Sequence, residues 1–577
     1  MSGGDQVTST RTPTVRTTLS VLTAGALCLP AAAPAQTASQ VTPESFQPQL
    51  QNLQGSVVFS GATGTQAPPG AEQIGITLSG VSLDGGLPQM AEANAALERR
   101  LTGGRIPVSE IFEATADLEA AYAQAGYVLA RVVLPQQSLR DGGVLSVGVI
   151  NGFVEAVDTS QVPPEVRPRI EALTAPLVDR PGVTLTELER QLLLSGDVAR
   201  VALGSALTTG QQPGGTVIAL DPEFQKVTGF TGFDNFAPDD LGGFTLNAGV
   251  EFNSPLKFGE TIYGRVSATP DQMFSADPTY RILAAGVVVP LGSSGLALNY
   301  EYTSADTTPD TDDIPTRSDF DRHSLRLIYP WIRSRQLNLT TQMMLDHAID
   351  RQELIDGGIE IYEDRLTVLR AGVNVTYTHE DGAFSEAALL LSQGLDTLGA
   401  RTESDASGDT PLSRADADAT FTKLSGSVTH RRALGEDVSL SLIGRFQTSF
   451  GEPLLTSEQF SIAGAGELST FDAGGLRGDS GWVVRTELSR PTNVQFQNTP
   501  LVVSPYIFAG IGAVRIENPT ALEDSFEQAR AYGLGLDLFS QPASRFRASS
   551  LRLEFGKGER DHGPDDTRFS LSGNFRF

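Results

Sequence analysis

Cysteine is almost absent, a single Cys28 in 577 residues, and basic residues are scarce, 42 Lys and Arg against 69 Asp and Glu. The first shortage excludes a fold held by disulfides, since Cys28 lies in the N-terminal apolar run and the mature chain is expected to have none. The second leaves a formal charge of -27 and argues against nucleic acid as a partner, because phosphates need Lys and Arg. The acids gather in polar segments such as Asp306 to Asp321 and Glu403 to Asp418, which read as solvated loops rather than an acidic binding face. Long apolar runs are missing too. Leu19 to Leu29 is too short to cross a bilayer as a helix, and no later stretch supplies the ~20 consecutive apolar residues that crossing requires. Any membrane insertion must therefore use strands, and a mean hydropathy of -0.10 is no obstacle, because a membrane barrel alternates lipid-facing and lumen-facing side chains.

The residues that usually carry chemistry are thin. The five histidines, His323, His347, His379, His430 and His562, stand singly without metal-ligand spacing, so no metal site or cofactor is expected. Asp310, Asp312 and Asp313 lack the Gly of a calcium loop. Gly478-Asp479-Ser480-Gly481 matches the core of the serine-protease nucleophile motif, but none of the histidines stands in a segment suited to a catalytic partner, so the chain is not read as an enzyme.

What is present is ordered along the chain. Arg11 and Arg16, the apolar run and Ala33-Pro34-Ala35 read as an export signal over 1–35, with the mature chain starting near Gln36. Leu27 before Cys28 is too large for a lipoprotein site. Residues 36–72 read as an N-terminal segment and linker, with a short helix over Glu44 to Leu53 that Pro48 opposes. From 73 to 152 and again from 153 to 221 the pattern runs strand, helix, helix, strand, strand; Ser109 is placed to cap one helix, Gly126 to end it, and Thr184-Leu185-Thr186-Glu187 to open another as a capping box. Over 222–577 helical periodicity gives way to alternation. Phe244, Leu246, Ala248, Val250 and Phe252 alternate with polar or small residues, and so do Phe569, Leu571, Gly573, Phe575 and Phe577 at the end of the chain. At about 10 residues per tilted strand this region holds roughly sixteen strands. The expected fold is a transmembrane antiparallel β-barrel preceded by two periplasmic α+β domains, rather than a soluble β-sandwich or propeller.

The helix-to-strand segment Tyr122 to Arg131 with Gly126 and Tyr127, then Leu134-Pro135-Gln136-Gln137, resembles the signature of the two-partner secretion transporters, with Arg131, Pro135 and Gln137 as its further members. Asn253 to Glu260 and Tyr329 to Arg335 are similar to that family's barrel turns, and Phe460-Ser461-Ile462-Ala463-Gly464 followed by Leu476-Arg477-Gly478-Asp479 resembles its long inward-folded loop. The resemblance covers nearly the whole mature chain. It implies two POTRA (polypeptide-transport-associated) domains in the periplasm, an outer-membrane barrel, a haemolysin- or haemagglutinin-like exoprotein as cargo, and a monomer. Lipid and the barrel assembly machinery, which would read the C-terminal strand Phe569, Leu571, Phe575 and Phe577, are the other expected partners. The resemblance also makes Arg477 the loop tip in the lumen and Glu44 to Leu53 a plug. The family's usual carboxylate partner for that arginine is replaced by Gly510, so Glu487 becomes the candidate tether, with Arg477 simply facing lumen water as the alternative. A barrel-assembly factor and a passive porin are the competing functions; two units before the barrel favour export.

Overall fold

The computed structural model describes residues 37–43, 45 and 67–577, apart from 271, 311–314, 409, 473, 497–498, 522 and 543. The expected export signal and all of 44–53 except Ser45 lie outside the described residues. The first described element is a single helical turn, α1 (Ala38–Val41).

The first unit of the arm contains β1 (Gly75–Gly85), α2 (Ala91–Leu101), β2 (Arg105–Pro107), α3 (Val108–Gln124), β3 (Arg131–Val133) and β4 (Gly143–Ile150). Its sheet has the order β2-β1-β4-β3, with β1 and β4 parallel. Both helices contribute to one core, where Leu97, Leu101, Ile111, Leu118 and Tyr122 meet Ile76, Leu78, Leu145 and Val147. Ser109 does not cap α3. The helix grows straight out of β2, and Val108 N–H is already spent on the carbonyl of Ile74 at 2.8 Å. Gly126 ends α3 as expected, at φ 94°, and lets Tyr127 N–H reach the carbonyl of Tyr122 at 2.8 Å.

The second unit contains β5 (Phe153–Asp158), α4 (Arg167–Thr174), α5 (Leu185–Gly196), β6 (Val201–Thr209) and β7 (Gly215–Phe224), with sheet order β5-β7-β6. The capping box at α5 is complete: Glu187 N–H donates to Thr184 Oγ1 at 3.3 Å, and Thr184 N–H donates to the Glu187 carboxylate at 2.9 Å. Leu185 N–H also bonds the Gly126 carbonyl at 2.8 Å, so the turn that ends α3 joins the two units.

Sixteen antiparallel strands then close into a barrel, from Val227–Asp234 to Asp566–Arg576. The twelfth is broken at Pro491 into Ser480–Ser489 and Thr492–Phe496, both paired with Thr499–Arg515. Alternation fixes which way each side chain points. Val250 and Phe252 are 37% and 46% exposed, whereas Glu251 and Asn253 between and beside them are 5% and 2% exposed. A wall with apolar side chains outside and polar ones inside suits lipid on one side and a filled lumen on the other. Ile507, Leu534, Phe555 and Phe569 continue the outer apolar band.

The ends of the barrel differ. Long connections, 395–421 and 449–479, lie at one end, and short turns lie at the other, where the arm docks. Both turns singled out in the sequence are docking points. Ser254 Oγ donates to the Glu165 carbonyl at 2.9 Å, and Arg333 reaches the Asp197 carboxylate at 2.8 and 2.7 Å. Arg190 of α5 adds bonds to the carbonyls of Pro330 and Trp331 at 2.8 and 3.1 Å.

The barrel closes through the pairing of its last strand with its first, Phe575 opposite Thr231, and Phe577 and Gly229 exchange backbone bonds of 3.0 and 3.1 Å. Deleting Phe575 to Phe577 is expected to lower the folded, heat-modifiable species in outer membranes several-fold, measured by electrophoresis of unheated samples.

Candidate functional site

The connection 449–479 does not extend away from the barrel. Its neck is a two-residue ladder in which Phe460 faces Gly478 and Ser461 faces Arg477, and the described residues between, 462–472 and 474–476, fold against the inner wall. Ile462, Leu468, Phe471 and Leu476 share a buried cluster with the wall's Val483, Tyr506, Phe508, Ala529 and Ala531. The wall is cut away to admit the loop. A Cβ at Gly510 would lie 3.0 Å from Leu468 Cδ2, and one at Gly558 would lie 2.4 Å from Thr470 Oγ1.

Polar anchors fix the loop along its length. At its start Glu458, 5% exposed, binds Arg370 at 2.6 Å and Lys423 at 2.7 Å. At its deepest part the Glu467 carboxylate pairs with Arg445, while Arg485 Nη1 donates to the Glu467 carbonyl at 3.0 Å and to Ser469 Oγ at 2.8 Å. Ser469 Oγ in turn donates to the Glu554 carboxylate, and Ser570 Oγ donates to the Ser469 carbonyl at 3.3 Å. Asp472 meets Arg568 at 2.6 Å. At the loop's end Asp479, fully buried, accepts from Leu454 N–H at 3.0 Å, from Glu517 N–H at 2.7 Å and from Arg414 at 2.5 Å. One carboxylate thus ties connections 395–421, 449–479 and 516–525 together.

Arg485 is the centre of a wider wall network. It is 1% exposed, pairs with Glu487 at 2.8 Å and Glu554 at 2.5 Å, and lies over the Phe508 ring at 3.9 Å. Arg552 joins the same group, reaching Glu487 at 2.7 Å, Asp537 at 3.2 Å and Tyr506 Oη at 2.7 Å.

Several expected site residues stand elsewhere. Leu476, Arg477, Gly478 and Asp479 form the neck and its exit instead of the inserted stretch, in which Leu468 to Phe471 pack on the inner wall; the ladder register of Ser461 with Arg477 puts them there. Arg477 makes no side-chain hydrogen bond or ion pair to another described residue, and its buried Nη1 has no partner among them. Gly478 is extended rather than sharply turned, and it is small because a Cβ would lie 2.5 Å from the Arg515 carbonyl oxygen. Glu487 holds Arg485 and Arg552, not Arg477. The tether missed by sequence reasoning, Arg485 with Ser469 and Glu554, has no motif of its own. Ser480 Oγ is spent on Ser449 N–H at 3.0 Å, and no histidine is bonded to it among the described residues.

In the arm, Gln137 works as a short strand mimic: its amide accepts from Ser146 N–H at 2.8 Å and donates to the Ser146 carbonyl at 2.7 Å. Arg131 folds back on the carbonyls of Val128 and Ala130 at 3.1 and 2.9 Å, Pro135 offers its carbonyl to Gln137 at 3.3 Å, and Tyr127 stacks edge-on to Tyr122. On the outer connections Asp524, Glu527 and His562 come together, and the hydrogen bond that His562 gives to Glu527, then the charge of Asp524, holds the imidazole above its ordinary pKa.

A second segment occupies the lumen. Ala38 N–H donates to Ser318 Oγ at 3.0 Å, Arg322 to the Pro43 carbonyl at 2.8 Å, and Arg326 to the Ser45 carbonyl at 3.3 Å and also to its hydroxyl. The segment therefore runs along strand Thr316–Arg333 from its outer part toward the arm. Val41 and Pro43 line a cavity of about 370 Å³ whose other walls include Phe230, Tyr280, Glu487 and Arg552.

A closed, lipid-banded barrel whose polar lumen holds a folded-in loop and an N-terminal segment, with a two-unit arm at its short-turn end, defines an outer-membrane transport protein. The model of the haemolysin secretion/activation protein family ShlB/FhaC/HecB matches residues 214–538, more than half of the chain, and that of the ShlB-type POTRA domain matches 76–152. The chain belongs to this family, and it is a two-partner secretion translocator of the outer membrane with its POTRA region in the periplasm. CdiB from Escherichia coli has a similar structure, with TM-score 0.69 and 21% identity over 89% of this chain and 92% of that one. CdiB from Acinetobacter baumannii gives TM-score 0.62 and 17% identity over 92% and 95%. No curated protein sequence matches the chain.

Replacing Asp479 by Ala leaves Arg414 without its buried carboxylate, a loss of about 3 kcal/mol. It is expected to expose the outer connections to protease added to intact cells, read as new fragments, whereas Arg477→Ala is expected to leave the digestion pattern unchanged.

Proposed function

We propose that the arm captures an unfolded exoprotein in the periplasm by adding it as a strand to an exposed sheet edge, since backbone bonds recognise an extended chain whatever its side chains. The cargo is a haemolysin- or haemagglutinin-like chain. With no nucleotide-binding motif in the sequence, its folding outside the cell supplies the drive. Gly126, Tyr127, Arg131, Pro135 and Gln137 shape the first unit by fixing the exit of α3 and bracing β4, and so set the geometry of the receiving edge.

At rest the lumen is blocked twice, by the loop tip Leu468 to Phe471 and by the N-terminal segment from Thr37. The observation that carries this reading is that both segments are held by lumen side chains, Arg485 for one and Arg322 and Arg326 for the other. Passage of the cargo displaces both. The barrel works as a monomer in lipid, and the face formed by Phe569, Leu571, Phe575 and Phe577 is read by the assembly machinery during insertion.

Two measurements test this. Removing Gln36 to Gln54 is expected to raise the conductance of the reconstituted protein, and an unchanged conductance would remove that segment from the mechanism. Deleting the gene is expected to strip the neighbouring large exoprotein from the cell surface and leave it in the periplasm; unchanged display with a general loss of other barrels would instead indicate an assembly factor.

A further inference from the structure

We infer that the inward loop is latched at Ser469 by a site whose charges are balanced within the wall: from the loop Arg485 takes only the neutral acceptors Glu467 carbonyl and Ser469 hydroxyl, and it keeps both of its carboxylates when the loop leaves.

A loop held by an ion pair with one charge on the loop and one on the wall strands two charges when it moves, which costs several kcal/mol if the site is buried. Here the fully buried guanidinium is paired on its own wall, with Glu487 at 2.8 Å and Glu554 at 2.5 Å. Arg552 balances the same wall through Glu487 and Asp537. What the loop contributes is two acceptors for Arg485 Nη1, at 3.0 and 2.8 Å, and one hydroxyl donor to Glu554. Loop withdrawal therefore breaks neutral-to-charged hydrogen bonds that water can replace, and strands no charge at this depth.

The ion pairs that withdrawal does break, Arg445–Glu467 and Arg568–Asp472, are half-buried. In Arg445–Glu467 the glutamate is 8% exposed and the arginine 35%, and in Arg568–Asp472 the arginine is 15% exposed and the aspartate 51%, so when the loop leaves, one member of each pair is already in reach of water. Gly510 completes the design. It leaves room for Leu468 where a side chain would crowd the loop, so the contact at that point of the strand is apolar. Ser469 is thus a positioning residue of the resting state, and Arg485 and Glu554 are the fixed parts that receive it. The latch is built to be reset.

This inference rests on the reading that the loop obstructs the lumen, and the test separates the two. The full-length protein is reconstituted in planar bilayers, and open fraction is recorded at low and high salt for three substitutions, Ser469→Ala, Ser469→Thr and Ser469→Val, and for deletion of Glu467 to Asp472. The deletion reports on obstruction and is made both in the full chain and in one lacking Gln36 to Gln54, which the proposed function gives as a second block: a conductance no higher than that of the matching parent in either background would defeat the reading of the loop as a block. Given a raised conductance there, Ser469→Ala is expected to raise the open fraction at least about tenfold, the worth of a lost hydrogen bond between a hydroxyl and a charged group, and equally at both salt concentrations. The Thr and Val variants have the same size; Thr is expected to behave as the parent and Val as Ala, which keeps the test valid if Ala assembles poorly. An open fraction that ignores the hydroxyl, or a Ser469 effect that appears only at low salt, would overturn the latch.

Discussion

Lipid offers no hydrogen bonds, so every backbone N–H and C=O of the embedded sheet must find a partner within the protein. That requirement forces the sheet to close. The pairing of Phe577 with Gly229 completes a ring in which no embedded edge is left, and much of the rest follows from it. A closed sheet of sixteen strands leaves a wide interior; its walls are polar because alternation turns Glu251, Arg326, Arg485 and Glu554 inward; and a polar interior must be filled or it conducts.

The filling uses the chemistry of the wall. Inward carboxylates and guanidiniums cannot stay buried alone, and they pair first with one another, as Arg485 does with Glu554 and Arg370 with Asp346. Residual donors then take up backbone carbonyls and hydroxyls from the two inserted segments. At Arg485 the loop is bound by donor capacity left over once the wall has balanced its own charge, whereas Arg445 and Arg568 meet carboxylates of the loop itself. Firm anchorage is kept for the two ends of the loop at Glu458 and Asp479, so the middle can move while its ends stay.

Alternation makes the barrel legible in the sequence, because a period of two with apolar residues such as Val250 and Phe252 on one side fits little besides a strand with one greasy face. The capping box at Thr184 and the terminating Gly126 are legible for the same reason, as local chemistry suffices to place them. Ser109 is not, because a strand that the sequence hides, Arg105–Pro107, runs straight into the helix at Val108 and leaves Ser109 inside its first turn. Arg477 shows the limit most clearly. Its neighbours have the composition of a loop tip, yet which residue lies deepest depends on a two-residue ladder between Phe460 and Gly478, a pairing that no local pattern records. The true contact, Ser469 with Arg485 and Glu554, joins three distant segments through ordinary residue types.

The N-terminal segment and the arm belong to one continuous chain, with Ser45 bound in the lumen and Ala67 the next described residue of the arm side. From Ser45 to Ala67 the chain can span at most about 80 Å. Once displaced toward the periplasm, the segment therefore stays leashed near the opening it left, and its return is an intramolecular event at an effective concentration in the millimolar range. Resealing is then set by leash length and not by the abundance of any other molecule, so the cell's permeability barrier recovers at a rate independent of how many copies it carries.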